Sequence, residues 1–170
     1  PFFTEGTELF NKSDMFYSRR VGREPMGYQR LRDSIGSGGL DDYSILSNPT
    51  LTRLYNAVKF SGRTHGNLGI GIFNAIAQTE KARIRNGLTG KDSAIITEPP
   101  TNYNVFVLDQ ALKNRSYLSL TNTNVTRNGN ARDANVTGLD IVLYDKKNQY
   151  GVTLQPRFSQ VFDPDGRYNG

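Results

Sequence analysis

The sequence predicts an all-β fold built from antiparallel hairpins, and three observations support that prediction. From about residue 53 onward, polar and apolar residues alternate with a period of two, which places successive side chains on opposite faces of a strand. The chain contains 17 Gly, nine Tyr and nine Phe but no Trp, a composition that favours strands separated by frequent turns. Only 36% of the residues are hydrophobic, against about 45–50% in ordinary globular domains, so a conventional two-layer core would be short of apolar material.

The composition also excludes several kinds of site. The 170 residues include no Cys, which rules out disulfides, zinc–thiolate centres and cysteine nucleophiles. A single histidine, His65, rules out mechanisms that need two. The formal charge is +5, but Lys and Arg are dispersed, so nucleic acid is not an expected partner. No apolar run reaches the ~18 residues of a transmembrane helix. No signal peptide follows Pro1, so we expect the chain to be part of a longer precursor.

Residues 1–52 are predicted to form an irregular segment rich in aromatic and basic residues. Phe and Tyr are set among charged residues there, and a Gly-rich turn follows. We expect only two short helices, one near residues 7–10 and one around 49–55. This segment would be held by aromatic anchors and would serve as a plug or as a periplasmic lead-in to the strands.

Residues 53–170 are predicted to form a barrel section of about six strands in three hairpins. The strands lie in the segments RLYNAVKFS, NLGIGIFNAIA, TNYNVFVLDQA, YLSLTNT, VTGLDIVLY and QYGVTLQPRFSQVF. Short turns alternate with longer polar connections at 80–100 and 126–134, a layout found in outer-membrane barrels and also in soluble sandwiches. Pro156 cannot donate a backbone hydrogen bond, so it indicates a bulge or an edge in the last strand.

The hairpin at 101–125 raises the question of what each face of the sheet meets. In its second strand Leu118 and Leu120 share one face, and Thr121 and Thr123 share the other. The polar face is mostly Ser, Thr, Asn, Gly and Asp, which suits a confined, hydrated lumen with lipid on the opposite side. A soluble sheet with one face in water shows the same alternation, so both interpretations stay open.

Two features of the other strands predict a close neighbour on the inner face. Val105 and Val107 make the first strand of that hairpin apolar on both faces, which packing against the N-terminal segment would explain. Gly69 and Gly71 alternate on one face of NLGIGIF, where they would admit a plug, a curved wall or an aromatic ring. This G-x-G is not a dinucleotide-binding motif, because it lies within a strand and no helix follows it.

Four stretches of the chain resemble one bacterial protein family. They are FFTEGTELFNKSDMFYSRRVG, KFSGRTHGNLGIGIFNAIAQTE, EPPTNYNVFVLDQALKNRSYLSLTNTNVTR and ANVTGLDIVLYD. The family is associated with the outer membrane of gram-negative bacteria and is of unknown function, and its domain follows a family-9-type carbohydrate-binding-like domain. The resemblance implies an outer-membrane-associated β-barrel protein. We expect the chain to be a section of such a barrel, with a non-enzymatic role in transport, ligand capture or envelope assembly. About six strands cannot close a barrel of eight or more, so we expect a fragment or a sheet completed by another chain.

The candidate ligand-binding residues are Arg19 and Arg20, which lie in the densest basic and aromatic cluster, FYSRRVGRE. They would suit a phosphate, lipid A or an acidic glycan, although cation–π stacking or ion pairs within the segment are the favoured explanation. Asp109 and Asp140 would suit glycoside hydrolysis if the fold brought them together.

No catalytic residue, metal site or cofactor is predicted. The expected partner is outer-membrane lipid, with glycan or other envelope protein chains as further candidates. The alternative is a soluble or periplasmic all-β domain that binds or processes carbohydrate.

Overall fold

The computed structural model describes residues 7–11, 13–15, 21–163 and 168–169 of the chain. Two helices and a succession of strands make up this part: α1 (Thr7–Asn11), α2 (Gly27–Gly36), β1 (Tyr43–Ser47), β2 (Leu54–Arg63), β3 (Leu68–Ala77), β4 (Glu80–Asn86), β5 (Asp92–Glu98), β6 (Thr101–Ala111), β7 (Tyr117–Arg127), β8 (Asp133–Tyr144), β9 (Gly151–Leu154), β10 (Arg157–Phe162) and β11 (Tyr168–Asn169). The prediction of an all-β fold is therefore confirmed.

A large antiparallel sheet has the strand order β11-β10-β8-β7-β6-β3-β2, and β9 pairs with β8 next to β10. The six strands predicted from the alternation are all present here. The last of them is split into β9 and β10 at Pro156, as the missing amide hydrogen of that residue suggests. Within the described residues the sheet stays open, with β2 at one edge and β11 at the other.

A smaller antiparallel sheet has the order β1-β4-β5 and packs against α2. Leu31 of α2 is buried with Ala82 and Ile84 of β4. The prediction of a polar connection at 80–100 is wrong, because β4 and β5 form a hairpin there. Strand β4 was missed because its sequence, EKARIRN, has only two apolar residues, which alternate with three basic residues.

The N-terminal region contains more regular structure than the sequence predicts. The helix expected near residues 7–10 is present as α1, whereas the one expected around 49–55 is wrong, since β2 begins at Leu54. Helix α2 was not predicted, because only Leu31 and Ile35 of its ten residues are large and aliphatic and its stability depends on packing against the small sheet.

The main core lies between the N-terminal region and the inner face of the large sheet. Phe10 of α1 packs in one buried cluster with Phe73 of β3 and with Val105 and Val107 of β6. The predicted contact of the two valines with the N-terminal segment is confirmed. No helix in the described part of the chain is both long and apolar enough to cross a bilayer.

Candidate functional site

The inner face of the large sheet carries a row of three buried polar side chains on adjacent strands. Asp109 of β6 is opposite Ser119 of β7, and Ser119 is opposite Asp140 of β8. All three residues are 0% exposed. Because neighbouring strands lie about 4.8 Å apart, the aspartates are separated by roughly 10 Å across the serine. The alternation predicted the face of each aspartate, and the register, which the sequence does not reveal, places them in one row.

Each aspartate is neutralised by an arginine from a strand nearer the edge of the sheet. Arg63 Nη2, at the end of β2, lies 2.6 Å from Asp109 Oδ2. Arg157 Nη2, in β10, lies 2.5 Å from Asp140 Oδ1, which also accepts a hydrogen bond from Gln155 Nε2 at 3.0 Å. A buried carboxylate needs such partners because desolvation of an unpaired charge costs several kcal/mol.

This row has the chemistry of buried ion pairs rather than of an acid–base couple. Each carboxylate accepts a hydrogen bond from a guanidinium group, and the chain's single histidine, His65, is exposed in the turn between β2 and β3. Burial raises the pKa of the Tyr117 phenol, and the negative charges of Asp140 and Asp109 raise that pKa further. The described residues contain no group of three or more His, Asp or Glu that could hold a metal ion.

Several oxygen atoms of this face are buried without a hydrogen-bond partner among the described residues. They include Ser119 Oγ, Thr121 Oγ1 and Asp140 Oδ2. An unsatisfied buried polar atom costs about 1–3 kcal/mol. Thr121, which the sequence predicts to face a hydrated lumen, lies on the inner face but is 0% exposed, so it is shielded from bulk solvent. The reason is that the N-terminal segment covers the face.

Residues of α1 cover the inner face by occupying the space above its glycines. A Cβ on Gly71 would lie 3.1 Å from Phe10 Cζ, and one on Gly69 would lie 2.6 Å from Leu9 Cδ2. A side chain at 71 would therefore push against the Phe10 ring, and one at 69 would displace the end of the Leu9 side chain. The prediction that these alternating glycines admit a close neighbour is confirmed, and the neighbour at Gly71 is an aromatic ring.

The chain just after α1 is fixed to the same inner face, but farther across the sheet, at β8 and β10. A Cβ on Gly138 of β8 would collide with Met15 Sδ. Arg157 Nη2 donates a hydrogen bond to the carbonyl oxygen of Ser13 at 3.3 Å, so the arginine that neutralises Asp140 also holds the covering segment. Residues 7–11 and 13–15 thus contact β3, β6, β8 and β10 of the same sheet.

A cavity of about 270 Å³ lies beside this cover, at the end of the sheet near the longer connections. Burial raises the pKa of Tyr103 in its wall, as does the charge of Glu98, while Arg127 and Arg23 act in the opposite direction. The volume is just under the range of about 300–1,000 Å³ typical of small-molecule sites. Its walls combine apolar and basic side chains, including Met15, Val21, Arg23, Tyr103, Arg127 and Val136.

The half of the outer face nearest the short turns is apolar and is uncovered within the described residues. The outward positions of β3, β6 and β7 carry no charged residue. Large apolar side chains there are 37–59% exposed, and they include Phe60, Ile72, Phe106, Leu118 and Leu120. An exposed apolar surface of this extent marks a region that meets a partner or a membrane.

Asparagines cross one end of the outer face as a row in register. Asn74, Asn104, Asn124 and Asn135 lie opposite one another on β3, β6, β7 and β8. Asn74 Nδ2 donates to Asn104 Oδ1 at 2.8 Å. The outer face therefore has an apolar half near the short turns and an amide-rich half near the small sheet.

Comparison of the sequence with protein-family models gave a match over the whole chain. The family model described as "Domain of unknown function (DUF5916)" matches residues 1–170. The chain belongs to the DUF5916 family. The predicted membership of a family of unknown function is confirmed. Comparisons with curated proteins and with solved structures gave no match.

The sequence singled out Asp109 and Asp140 of this DUF5916 chain but not the arginines that pair with them. Arg19 and Arg20, the predicted ligand-binding pair, lie outside the described residues. Arg63 and Arg157 were missed because nothing in the sequence links them to a particular aspartate. The basic residues of β4 were missed with their strand, although the alternation K-x-R-x-R at 81–85 was the signal that could have revealed them.

Proposed function

We propose that this chain is a section of a gram-negative outer-membrane β-barrel, with a non-enzymatic role in transport, ligand capture or envelope assembly. The observation that carries the proposal is the polarity of the large sheet. Its uncovered face bears Leu, Ile and Phe, whereas its covered face bears Asp109, Ser119, Thr121 and Asp140. Transmembrane barrel strands alternate in this sense, with apolar residues toward lipid and polar residues toward the interior. A water-soluble sheet has the reverse arrangement.

The slope of the apolar band across the strands supports the same proposal. On β2 the exposed apolar side chains are Val58 and Phe60, and the register aligns these positions with Asn135 and Thr137 on β8. The outward apolar residues of β8 lie farther toward the short turns; they are Leu139, Ile141 and Leu143. The centre of the band thus moves from the level of residue 136 to that of 141 over the four strand steps between β2 and β8.

That slope is the one a tilted barrel wall requires. Strands tilted by about 40° and spaced about 4.8 Å apart need a shift of about 4 Å, or about 1.2 residues, at each step to keep a band level with the membrane. Five residues over four steps agrees with this value. Phe158 of β10, which is paired with Thr137, lies outside the band, at the level where aromatic residues flank such bands.

The remaining parts of the proposal concern what completes the wall. The open edges at β2 and β11 would pair with further strands, supplied by the same protein or by another envelope chain. The inner face would be closed by residues 7–15 acting as a plug. The resemblance further supports a preceding family-9-type carbohydrate-binding-like domain, which would make glycan a second partner besides outer-membrane lipid.

Tryptophan fluorescence tests the assignment of the two faces, because the chain contains no Trp. Phe106→Trp places the reporter on the outer face and Tyr103→Trp places it on the inner face of the same strand. In the full-length protein reconstituted with lipids brominated on their acyl chains, each reporter is measured as the emission that it adds to the unsubstituted protein. We expect strong quenching of the emission added by Phe106→Trp and weak quenching of that added by Tyr103→Trp.

Two results would overturn the membrane assignment. The first is equal quenching of the two reporters, or quenching of neither. The second is purification of the full-length protein as a stable species without detergent, which would favour the alternative of a soluble or periplasmic carbohydrate-binding domain.

A further inference from the structure

The small sheet carries a stripe of three basic residues on its exposed face. Lys81, Arg83 and Arg85 of β4 point away from the core of that sheet, because Ala82 and Ile84 between them are buried against α2. Residues two apart in a strand lie about 6.6–6.8 Å from each other, so the three cationic groups form a row about 13 Å long. Among the described residues no other strand has three basic side chains on one face in succession.

One carboxylate serves two of these three cations. Arg85 Nε lies 2.6 Å from Asp92 Oδ1, and Arg83 Nη2 lies 3.4 Å from Asp92 Oδ2. The hydrogen bond from Arg85 lowers the pKa of Asp92. No ion pair of Lys81 is found among the described residues, so the stripe keeps a surplus of positive charge. The bonds to Asp92 use Nε and Nη2 of Arg85 and Nη2 of Arg83, whereas each guanidinium group carries five N–H donors in all.

The stripe lies beyond the amide-rich end of the outer face. Strand β4 follows β3 after only Gln78 and Thr79, and β5 leads into β6 through Pro99 and Pro100. Along β3 and β4 the order is therefore the apolar half, then the asparagine row, then the basic stripe. Ile96 of β5 is directly opposite Lys81 and is 57% exposed, so an apolar side chain adjoins the cations.

We propose that Lys81, Arg83 and Arg85 bind the phosphate group of an anionic lipid headgroup. The inference rests on the proposed function, since the apolar half of the outer face must lie in the acyl layer for the stripe to lie at headgroup level. Guanidinium groups bind phosphate oxygens through paired N–H donors, and the ammonium of Lys81 adds a point charge. Ile96 would contact the glycerol and upper acyl region of the same lipid.

Lipid titration tests the site directly. An Ile96→Trp substitution in the detergent-solubilised full-length protein reports binding beside Lys81. We expect short-chain phosphatidylglycerol to change its fluorescence at lower concentration than short-chain phosphatidylcholine. Surface charges near an anionic lipid contribute roughly fivefold in affinity each, so Lys81→Gln with Arg83→Gln should weaken phosphatidylglycerol binding about 25-fold.

The matched control removes the same charge at the opposite end of the sheet. Lys146→Gln with Lys147→Gln lies in the exposed turn after β8 and should change the affinity less than about twofold, because those charges are more than a screening length away. An equal loss in both double variants, or none in either, would overturn the site. Binding of inorganic phosphate as tight as that of phosphatidylglycerol would show a free-phosphate site and overturn the lipid assignment. Quenching of Phe106→Trp by brominated lipid is independent of these residues, so failure of the membrane assignment is distinguishable from failure of this site.

Discussion

The two faces of the large sheet differ in the burial and polarity of their side chains, and residues that are neighbours in one strand show this difference most clearly. Near the short turns, Leu118 and Leu120 are exposed on the outer face, while Ser119 between them is fully buried on the inner face. Along this strand, therefore, the apolar side chains are exposed and the polar side chain is buried. In water such a sheet would gain by exchanging its faces, so the comparison supports the proposal that the outer face contacts something less polar than water.

The other end of the same strands shows the reverse pairing. There the outer face carries amides such as Asn104 and Asn74, while the inner face carries Val105 and Phe73 in the core with Phe10. Each face is thus half polar and half apolar, and the apolar half of one face lies behind the polar half of the other. The covering segment gains hydrophobic contacts from the apolar inner half, and the arginine pairs hold the polar inner half.

Removal of Arg157 should destabilise the polar half of the inner face, and it is the largest loss of stability that we predict. Arg157→Met leaves Asp140 buried without its cationic partner and removes the hydrogen bond to Ser13. Removal of a partner from a fully buried ion pair costs about 3–5 kcal/mol. Because Arg157 is itself 30% exposed and Gln155 still donates to Asp140, we expect a loss at the lower end, about 3 kcal/mol in the free energy of unfolding. Urea titration in detergent, monitored by circular dichroism, measures that loss.

A surface ion pair supplies the control for this prediction. Arg85→Met breaks the pair with Asp92 on the small sheet, where both side chains are well exposed. We expect little change in unfolding, because water replaces the lost partner. Equal losses in the two variants would mean that the inner face is solvated and that the two faces are less different than the structure shows.

A side chain added at Gly71 should separate the covering segment from the sheet, with a smaller effect. The Val side chain of Gly71→Val would overlap the ring of Phe10, so we expect a loss of about 2 kcal/mol in the free energy of unfolding. Gly62→Val on β2 is the control, because a Cβ there meets only Phe60 Cζ at 3.9 Å and β-branched residues favour strands. Protection of α1 from hydrogen exchange should fall in the first variant alone, and a loss in both would contradict a specific contact.

The alternation of residues predicted the faces of individual strands but not the partners across them. It correctly placed Leu118 and Leu120 on one face of β7 and Thr121 on the other, since side-chain direction follows from the period of two alone. It could not place Asp109, Ser119 and Asp140 in one row, because register depends on turn geometry and bulges. It missed β4 because burial against α2, a tertiary contact, makes a strand of a segment with few apolar residues.

The buried hydroxyl of Thr121 offers the finest test of how dry the inner face is. Thr121 Oγ1 has no hydrogen-bond partner among the described residues, whereas Thr97 Oγ1, in the equally buried Thr97, donates to the carbonyl oxygen of Glu80 at 3.3 Å. Replacement by isosteric valine removes the hydroxyl in each case and leaves the volume nearly unchanged.

The two valine variants should therefore change stability in opposite directions. Thr121→Val removes a desolvated and unsatisfied group and should raise the free energy of unfolding by about 1 kcal/mol. Thr97→Val leaves a carbonyl oxygen without its donor and should lower that free energy by about 1 kcal/mol. Urea titration of both variants measures the difference. If Thr121→Val is destabilising as well, a bound water or solute must already satisfy its hydroxyl. The inner face beneath residues 7–15 would then be a hydrated interior, and the contrast between the two faces would be one of lipid against water.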